Sequence, residues 1–389
     1  MARAGVFGMA LMIALGATRN AWAGSDDLLW SWDKGLHYHV PHTPIDLRAG
    51  GLVMFDGGVQ WRDEGTSAAT KLRRARVNLG AGFGEHIRAW AAFEFADGTA
   101  RLNEGYLRFD PNEHLSLRVG HFQQAFGLEH TTSSRFTTFV ERGLPEVLTP
   151  GRRLGLELAG HGRHWSATGA LTRGSLANGG FGWLDTGWGG VGRVTFAPIA
   201  SERRVLHFGA SGSWSDELDG RVRYRVWPES MVFSNLLLDS GTIRHIGSGA
   251  SIGAEVAAVL GPFSVQAEFV QSLLDRTQGR DDYDPRGFYA LASWFVTGES
   301  RPYDPGNGTF QGIVPRSRWG AVELAVRASA IDLDDGLLQR GRGRDLSFGV
   351  NWYVDRRVRV MADLVRAHSE IDKQDTDSTL LSMRLQLDF

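Results

Sequence analysis

Apolar and polar residues alternate with a period of two along most of this chain, and the alternation is cleanest near its end. In residues 378–389, Thr379, Leu381, Met383, Leu385, Leu387 and Phe389 fall on one side, and Leu380, Ser382, Arg384, Gln386 and Asp388 on the other. A period of two predicts an extended strand whose two faces differ in character. The pattern recurs upstream. Residues 72–83 set Ala75, Val77, Leu79 and Phe83 against Arg74, Arg76 and Asn78, and residues 86–96 set Ile87, Ala89, Ala91, Phe93 and Phe95 against Arg88, Trp90 and Glu94. Residues 263–271 oppose Phe263, Val265, Ala267 and Phe269 to Ser264, Gln266 and Glu268; residues 319–328 oppose Val322, Leu324, Val326 and Ala328 to Glu323 and Arg327. The polar faces carry charges at their centres, and the apolar faces are long and smooth. Lipid outside and water inside accounts for this better than a soluble core does.

Seventeen candidate strands begin near residues 51, 72, 86, 102, 115, 152, 164, 190, 204, 221, 249, 263, 287, 319, 345, 358 and 378. Bacterial single-chain barrels have even strand numbers, with short turns on one rim and longer loops on the other. Short links at 84–85, 110–114, 160–163 and 198–203, and at 261–262 and 355–357, fall on one rim only if 221–227 is not a wall strand. The link 215–248 then becomes one long outer loop. The expectation is an all-β, transmembrane antiparallel β-barrel of 16 strands, occupying residues 51–389 as one domain. The link 296–318 stays anomalous, being long on the short-turn rim. Residues 24–50 show no period and are expected to be irregular. Residues 1–23 combine Arg3, an apolar run over 4–17 and Ala21-Trp22-Ala23, the pattern of a cleaved secretory signal peptide. Export and a barrel together lead to the expectation of an outer-membrane protein. No other stretch approaches 18 apolar residues, so no spanning helix is expected.

Composition sharpens this picture. Mean hydropathy is −0.21, which a membrane protein reaches only by hiding its apolar surface in alternation. There is no cysteine, which removes disulfides and thiol chemistry, and 50 glycines with 11% aromatics suit curved strands carrying aromatic girdles. A net charge of −2 gives no case for a nucleic-acid partner. Only Lys34, Lys71 and Lys373 are lysines, so 39 of the 42 basic residues are arginine. Arginine is the better planar binder of phosphate and carboxylate, although codon bias in a GC-rich genome gives the same count.

Arg221, Arg223 and Arg225 share one face of an extended stretch, spaced about 7 Å apart, as a rail along which an anion steps. The competing reading pairs them with Asp216, Glu217, Asp219, Glu141 or Glu229. His37, His39 and His42 lie near Asp33 and Asp46, but in a segment without helical spacing, and are read as solvated or as filling the lumen rather than binding metal. Gly187, Gly189 and Gly192 match a dinucleotide fingerprint only in letters, since they precede a strand and no helix follows. The acidic stretches 281–284 and 332–335 are read as solvated outer loops, bridged to lipopolysaccharide through divalent cations. No cofactor is expected. No G-x-S-x-G elbow is present, so an outer-membrane hydrolase has no motif behind it, and a purely structural or adhesive barrel is the other alternative to a pore.

Several stretches resemble the phosphate-selective porin O and P family. They are residues 71–77 (KLRRARV), 119–129 (VGHFQQAFGLE), 132–135, 140–142, 150–152, 227–230, 239–242 and 261–263 with Glu268, then 291–303 (LASWFVTGESRPY), 308–310 and 319–324. The resemblance runs in order over about residues 50–389. It implies a trimeric sixteen-stranded porin whose third and fifth outer loops and one periplasmic turn fold into the lumen, on the three links 123–151, 215–248 and 296–318. It also implies pore-lining, anion-binding roles for Arg223 and Arg225, for Arg74 and Arg76 on the facing wall, and for Arg135 and Arg142 on the constriction loop. The family's lysines near these positions are absent here. The function implied is passive diffusion of small anions, phosphate or polyphosphate first, with general diffusion as the alternative. The terminal Phe389 resembles the end that barrel-assembly machinery reads.

Overall fold

The computed structural model describes residues 28–31, 35–96, 98–176, 187–336 and 338–389. The expected signal peptide, residues 1–23, lies outside them. Sixteen antiparallel strands form the wall: β1 (Ile45–Arg62), β2 (Gly65–Phe83), β3 (Ile87–Glu94), β4 (Arg101–Asn112), β5 (Leu115–Gln123), β6 (Arg152–His161), β7 (Trp165–Arg173) and β8 (Trp188–Ser201). The second half comprises β9 (Arg204–Val222), β10 (Ile243–Leu260), β11 (Phe263–Arg276), β12 (Arg286–Phe295), β13 (Ala321–Asp332), β14 (Arg342–Tyr353), β15 (Val358–Ile371) and β16 (Gln374–Asp388). Each strand pairs with its sequence neighbours, and β16 returns to β1 from Ser378 opposite Arg62 to Asp388 opposite Leu52. Closure removes every wall edge, which a sheet surrounded by lipid requires because no water is there to satisfy backbone groups.

Phe389 completes the seam. Its N–H donates to Gly51 O at 3.1 Å and its carbonyl accepts from Gly51 N–H at 2.6 Å. A side chain at Gly51 would place its Cβ 2.4 Å from the Phe389 ring, so glycine is needed there for the terminal ring to seat. Within residues 24–50, expected to be irregular, the described part is instead ordered. A hairpin of Leu28–Ser31 and Gly35–His39 pairs onto β1, with His39 opposite Asp46, and β1 itself starts at Ile45. Strand pairing here does not need a clean two-residue period, because the segment lies at the rim and not across the lipid band. His39 Nδ1 lies 3.0 Å from Asp46 Oδ1, and no metal-ligating cluster occurs among the described residues.

The two faces behave as the alternation demands. On β16, Met383 is 51% exposed on the outside and Ser382 is fully buried on the inside. Phe348, Val265 and Leu364 likewise face outward, while Ser347, Gln266 and Asp363 are buried. An apolar band open to the outside is stable only against lipid.

Connections on the rim that holds both ends of the barrel are short, except residues 296–320, as anticipated. The opposite rim carries loops 124–151 and 223–242, but also two-residue turns at 63–64 and 372–373, because β1, β2, β15 and β16 rise beyond the band before turning. The expected loop 215–248 shrinks to 223–242. β9 continues past register shifts between Asp216, Gly220 and Arg221, with Gly220 at φ +63°, and ends with Val222 opposite Ile243. Arg221 is therefore a wall residue opposite Arg244, a correction to the placement of 221–227 wholly off the wall; Arg223 and Arg225 are off it. The irregularity breaks the period, so the strand's last turn of ladder is invisible to alternation.

Candidate functional site: the constricted passage

Loop 124–151 folds inward and lies against the β9–β16 side of the wall. Gly127, at φ +64°, starts a single helical turn, α1 (Leu128–Thr131), and the N–H groups of Leu128 and Glu129 donate to Glu268 at 2.8 and 2.6 Å. A Cβ at Gly127 would lie 2.6 Å from Glu268 Oε2, so this close approach requires glycine. Farther on, Arg359 donates to the carbonyls of Thr137 and Thr138, Val140 N–H donates to Asp363, and Arg384 donates to Val140 O. Arg327, wholly buried, reaches Glu129 at 3.2 Å and Glu229 at 2.7 Å with its guanidinium over Phe139. It thereby ties loop 124–151 to loop 223–242. Buried charge is tolerable here because each group finds a partner.

Glu141 knots the loop to the seam, receiving Arg73 at 2.6 Å and Arg384 at 3.0 Å, with Arg384 also held by Asp56. Burial works against ionisation of Glu141, but Arg73 and Arg384 outweigh it and hold its carboxyl below the usual carboxylate range. The turn 296–320 folds in from the other end. Arg193 pairs with Glu255 and donates to the carbonyls of Asn307 and Gly308, while His207 bridges Glu255 and the Tyr303 hydroxyl.

These three insertions fill one side of the lumen and leave an open path along β2–β8. A chamber of about 800 Å³ opens toward the long-loop rim and one of about 700 Å³ toward the short-turn rim. Three residues line both, and so mark the neck between them: Arg74 on β2, Arg142 on the loop and Arg152 at the start of β6. Around the two chambers the described lining carries eleven Lys and Arg side chains against eight Asp and Glu, in a chain whose net charge is −2.

The neck guanidiniums differ in their partners. Arg142 is pinned by the carbonyls of Glu129 and Thr132, each at 2.9 Å, with Glu146 at 3.4 Å. Arg152 donates to Glu104 at 3.0 Å and Gln123 at 2.7 Å. Arg74 has no hydrogen-bond or ion-pair partner among the described residues. A bulge in β2 opposite Met54 and Phe55 shapes this group. Below it Arg74 and Arg76 face inward by alternation; across it the parity resets, which brings Lys71 and Arg73 inward as well.

A family model described as phosphate-selective porin O and P matches residues 51–389. This chain belongs to that family. It is a Gram-negative outer-membrane porin. Porin O of Pseudomonas aeruginosa is 26% identical, covering 93% of each chain. Among solved structures, the anion-selective porin from Comamonas acidovorans matches with a TM-score of 0.58 at 10% identity, over 89% of this chain and 100% of that one. OprB of Pseudomonas putida matches at 0.54 and 10% identity, over 88% of this chain and 94% of that one. At such identities these two likenesses show the fold. The trimer form of OmpT of Vibrio cholerae matches at 0.54 and 8% identity, over 88% and 99%.

Of the arginines expected at the porin's site, Arg74 and Arg142 stand at the neck, and Arg76 and Arg135 line the chamber on its short-turn side. Arg76 lies 3.4 Å from Glu94, and Arg135 lies 2.8 Å from Asp388. Arg223 and Arg225 are not brought to them. Both are exposed and line neither chamber; Arg223 forms a two-pronged pair with Asp239, whose carboxyl that hydrogen bond lowers. They do not form a rail with Arg221, because the chain leaves the ladder between Arg221 and Arg223. The part of loop 223–242 that reaches the passage is instead residues 226–231, through Glu229, Ser230 and Met231.

Alternation missed Arg152, whose only signal was its place directly after Pro150-Gly151, where the constriction loop re-enters the wall. Of Glu94, Glu268 and Glu323, the acids that alternation puts on the polar faces, only Glu94 lines a chamber. Glu268 is occupied by the loop backbone and Tyr289, and Glu323 by Asn351 and Tyr353.

Proposed function

We propose that this porin passes small anions by passive diffusion, with phosphate the leading solute, through the neck formed by Arg74, Arg142 and Arg152. One observation carries the reading: the residues common to both chambers are all arginines, and Arg74 makes no ion pair or hydrogen bond among the described residues, the nearby Glu141 being held by Arg73 and Arg384. A guanidinium in a narrow water-filled passage offers planar paired donors to an oxyanion. Conduction needs such a site to be strong enough to admit the ion and weak enough to release it. Arg76 and Arg135 extend the basic lining below the neck. The family's description and that of the Comamonas porin agree with an anion pathway. Phosphate added to a planar bilayer carrying the channel should reduce its chloride current in a concentration-dependent way; an unaltered current at millimolar phosphate sinks phosphate as the leading solute.

General diffusion without anion preference is the second reading, favoured by the acids beside three of the arginines: Glu94 at Arg76, Asp388 at Arg135 and Glu104 at Arg152. No catalytic role is assigned, since every basic and acidic group at the neck is accounted for by holding the loop or lining the path. A homotrimer is part of the proposal, resting on the family resemblance and on the trimer form described for OmpT of Vibrio cholerae. Its outer leaflet partners are lipid and lipopolysaccharide, and its assembly partner is the machinery that reads Phe389.

A further inference from the structure

A smaller pocket lies off the passage, beneath loop 124–151 on the short-turn side. Its volume is about 30 Å³, and it shares Arg135, Phe136 and Gln311 with the lower chamber. It lies between the wall strands β13–β16 and the inserted turn 296–320. Two of its guanidiniums are almost completely buried, Arg301 at 5% and Arg359 at 3% exposed. Neither forms an ion pair among the described residues, the nearest carboxylates, Glu323 beside Arg301 and Asp363 beside Arg359, being hydrogen-bonded elsewhere. Arg301 donates to Gln266 at 3.0 Å and lies 3.8 Å over the Phe310 ring. Arg359 donates to the carbonyls of Thr137 and Thr138 and lies over Tyr353, and its buried Nε–H has no acceptor. The buried carboxylate in the pocket wall, Glu323, is engaged by Asn351 and Tyr353. The remaining charges lining it are Arg135, paired with Asp388, and Arg356, Arg357 and Asp355, so five arginines face three acids.

Buried charge without a paired counter-ion is unfavourable, and an unsatisfied donor beside it adds to the cost. A bound anion would relieve both. The pocket is far smaller than either chamber, which suits a single small anion. We propose that this pocket is a structural site for a single small monovalent anion of the chloride class, filled from the lower chamber. The anion sits between Arg301 and Arg359. Arg301 belongs to the inserted turn, and Arg359 holds the carbonyls of Thr137 and Thr138 on the constriction loop. The ion therefore clamps both insertions to the wall at one point, and it does so without lying on the permeation path.

The test is anomalous scattering from crystals of the whole porin soaked in bromide, with heat conversion of the folded barrel measured in chloride and in gluconate. The proposal expects a bromide peak between Arg301 and Arg359. It also expects a higher conversion temperature in chloride than in gluconate, a difference that Arg359→Gln abolishes. Density without anomalous signal overturns it, as does an equal conversion temperature in both salts. If the variant does not assemble, the wild-type bromide map decides alone. A bromide peak at the neck with none in the pocket overturns this site and leaves the anion pathway standing.

Discussion

Arg74 is the side chain whose loss should most change what the channel passes, because it stands at the neck and is tied to no carboxylate by an ion pair. Replacing it by Gln keeps a polar side chain of similar reach and removes one charge. An ion passing at roughly 5 Å feels about 0.8 kcal/mol from a unit charge at a dielectric of 80, and about 3.3 kcal/mol at 20. The passage is wet and Arg73 and Arg76 remain beside it, so the lower half of that range applies. An effect of ~1 kcal/mol corresponds to about a fivefold fall in the anion-to-cation permeability ratio. The assay is single-channel recording across a salt gradient, comparing wild type, Arg74→Gln and Arg74→Lys. Lys restores the charge and should recover most of the ratio, though not the planar donor pair. An unchanged ratio in Arg74→Gln, with a folded and conducting channel, would refute the reasoning.

The double variant Arg223→Ala/Arg225→Ala should change the permeability ratio by less than twofold, since both side chains are exposed on the outer rim and Arg223 is already paired with Asp239; a shift as large as that of Arg74→Gln would return these residues to the pathway. Deleting Phe389 removes the two hydrogen bonds to Gly51 and the ring it accommodates, and should lower outer-membrane abundance while leaving export intact, read by fractionation. Glu141 has a depressed folded value, so its contribution to holding the loop is fully present above the unfolded carboxylate range near pH 4.5 and is lost only as pH falls through the depressed value. Conductance should therefore hold from pH 7 to pH 5, and Glu141→Gln should give noisier openings across that window than wild type does.

Most of the fold was legible because a lipid-facing barrel writes its inside and outside into parity. All sixteen wall strands begin within a few residues of where alternation puts them, except where a rim extension lengthens them, as at β2, whose first seven residues rise above the lipid band. Parity failed at bulges. It could not carry β9 through Asp216–Gly220 to Val222, and it could not see Lys71 and Arg73 turned inward past the bulge in β2. The loop residues were harder still. Nothing in the period distinguishes Arg142, which reaches the neck, from Arg223, which pairs with Asp239 at the rim, because their positions follow from how inserted loops are tied down by Arg327, Arg359 and Arg384. Those ties join residues far apart in sequence, and only the closed barrel brings them together.

The reversal potential of the wild-type channel in a potassium chloride gradient tests the central claim most directly. An arginine neck with Arg74 outside any ion pair predicts a reversal potential displaced toward the chloride equilibrium value. A reversal potential at zero, or on the potassium side, would contradict it.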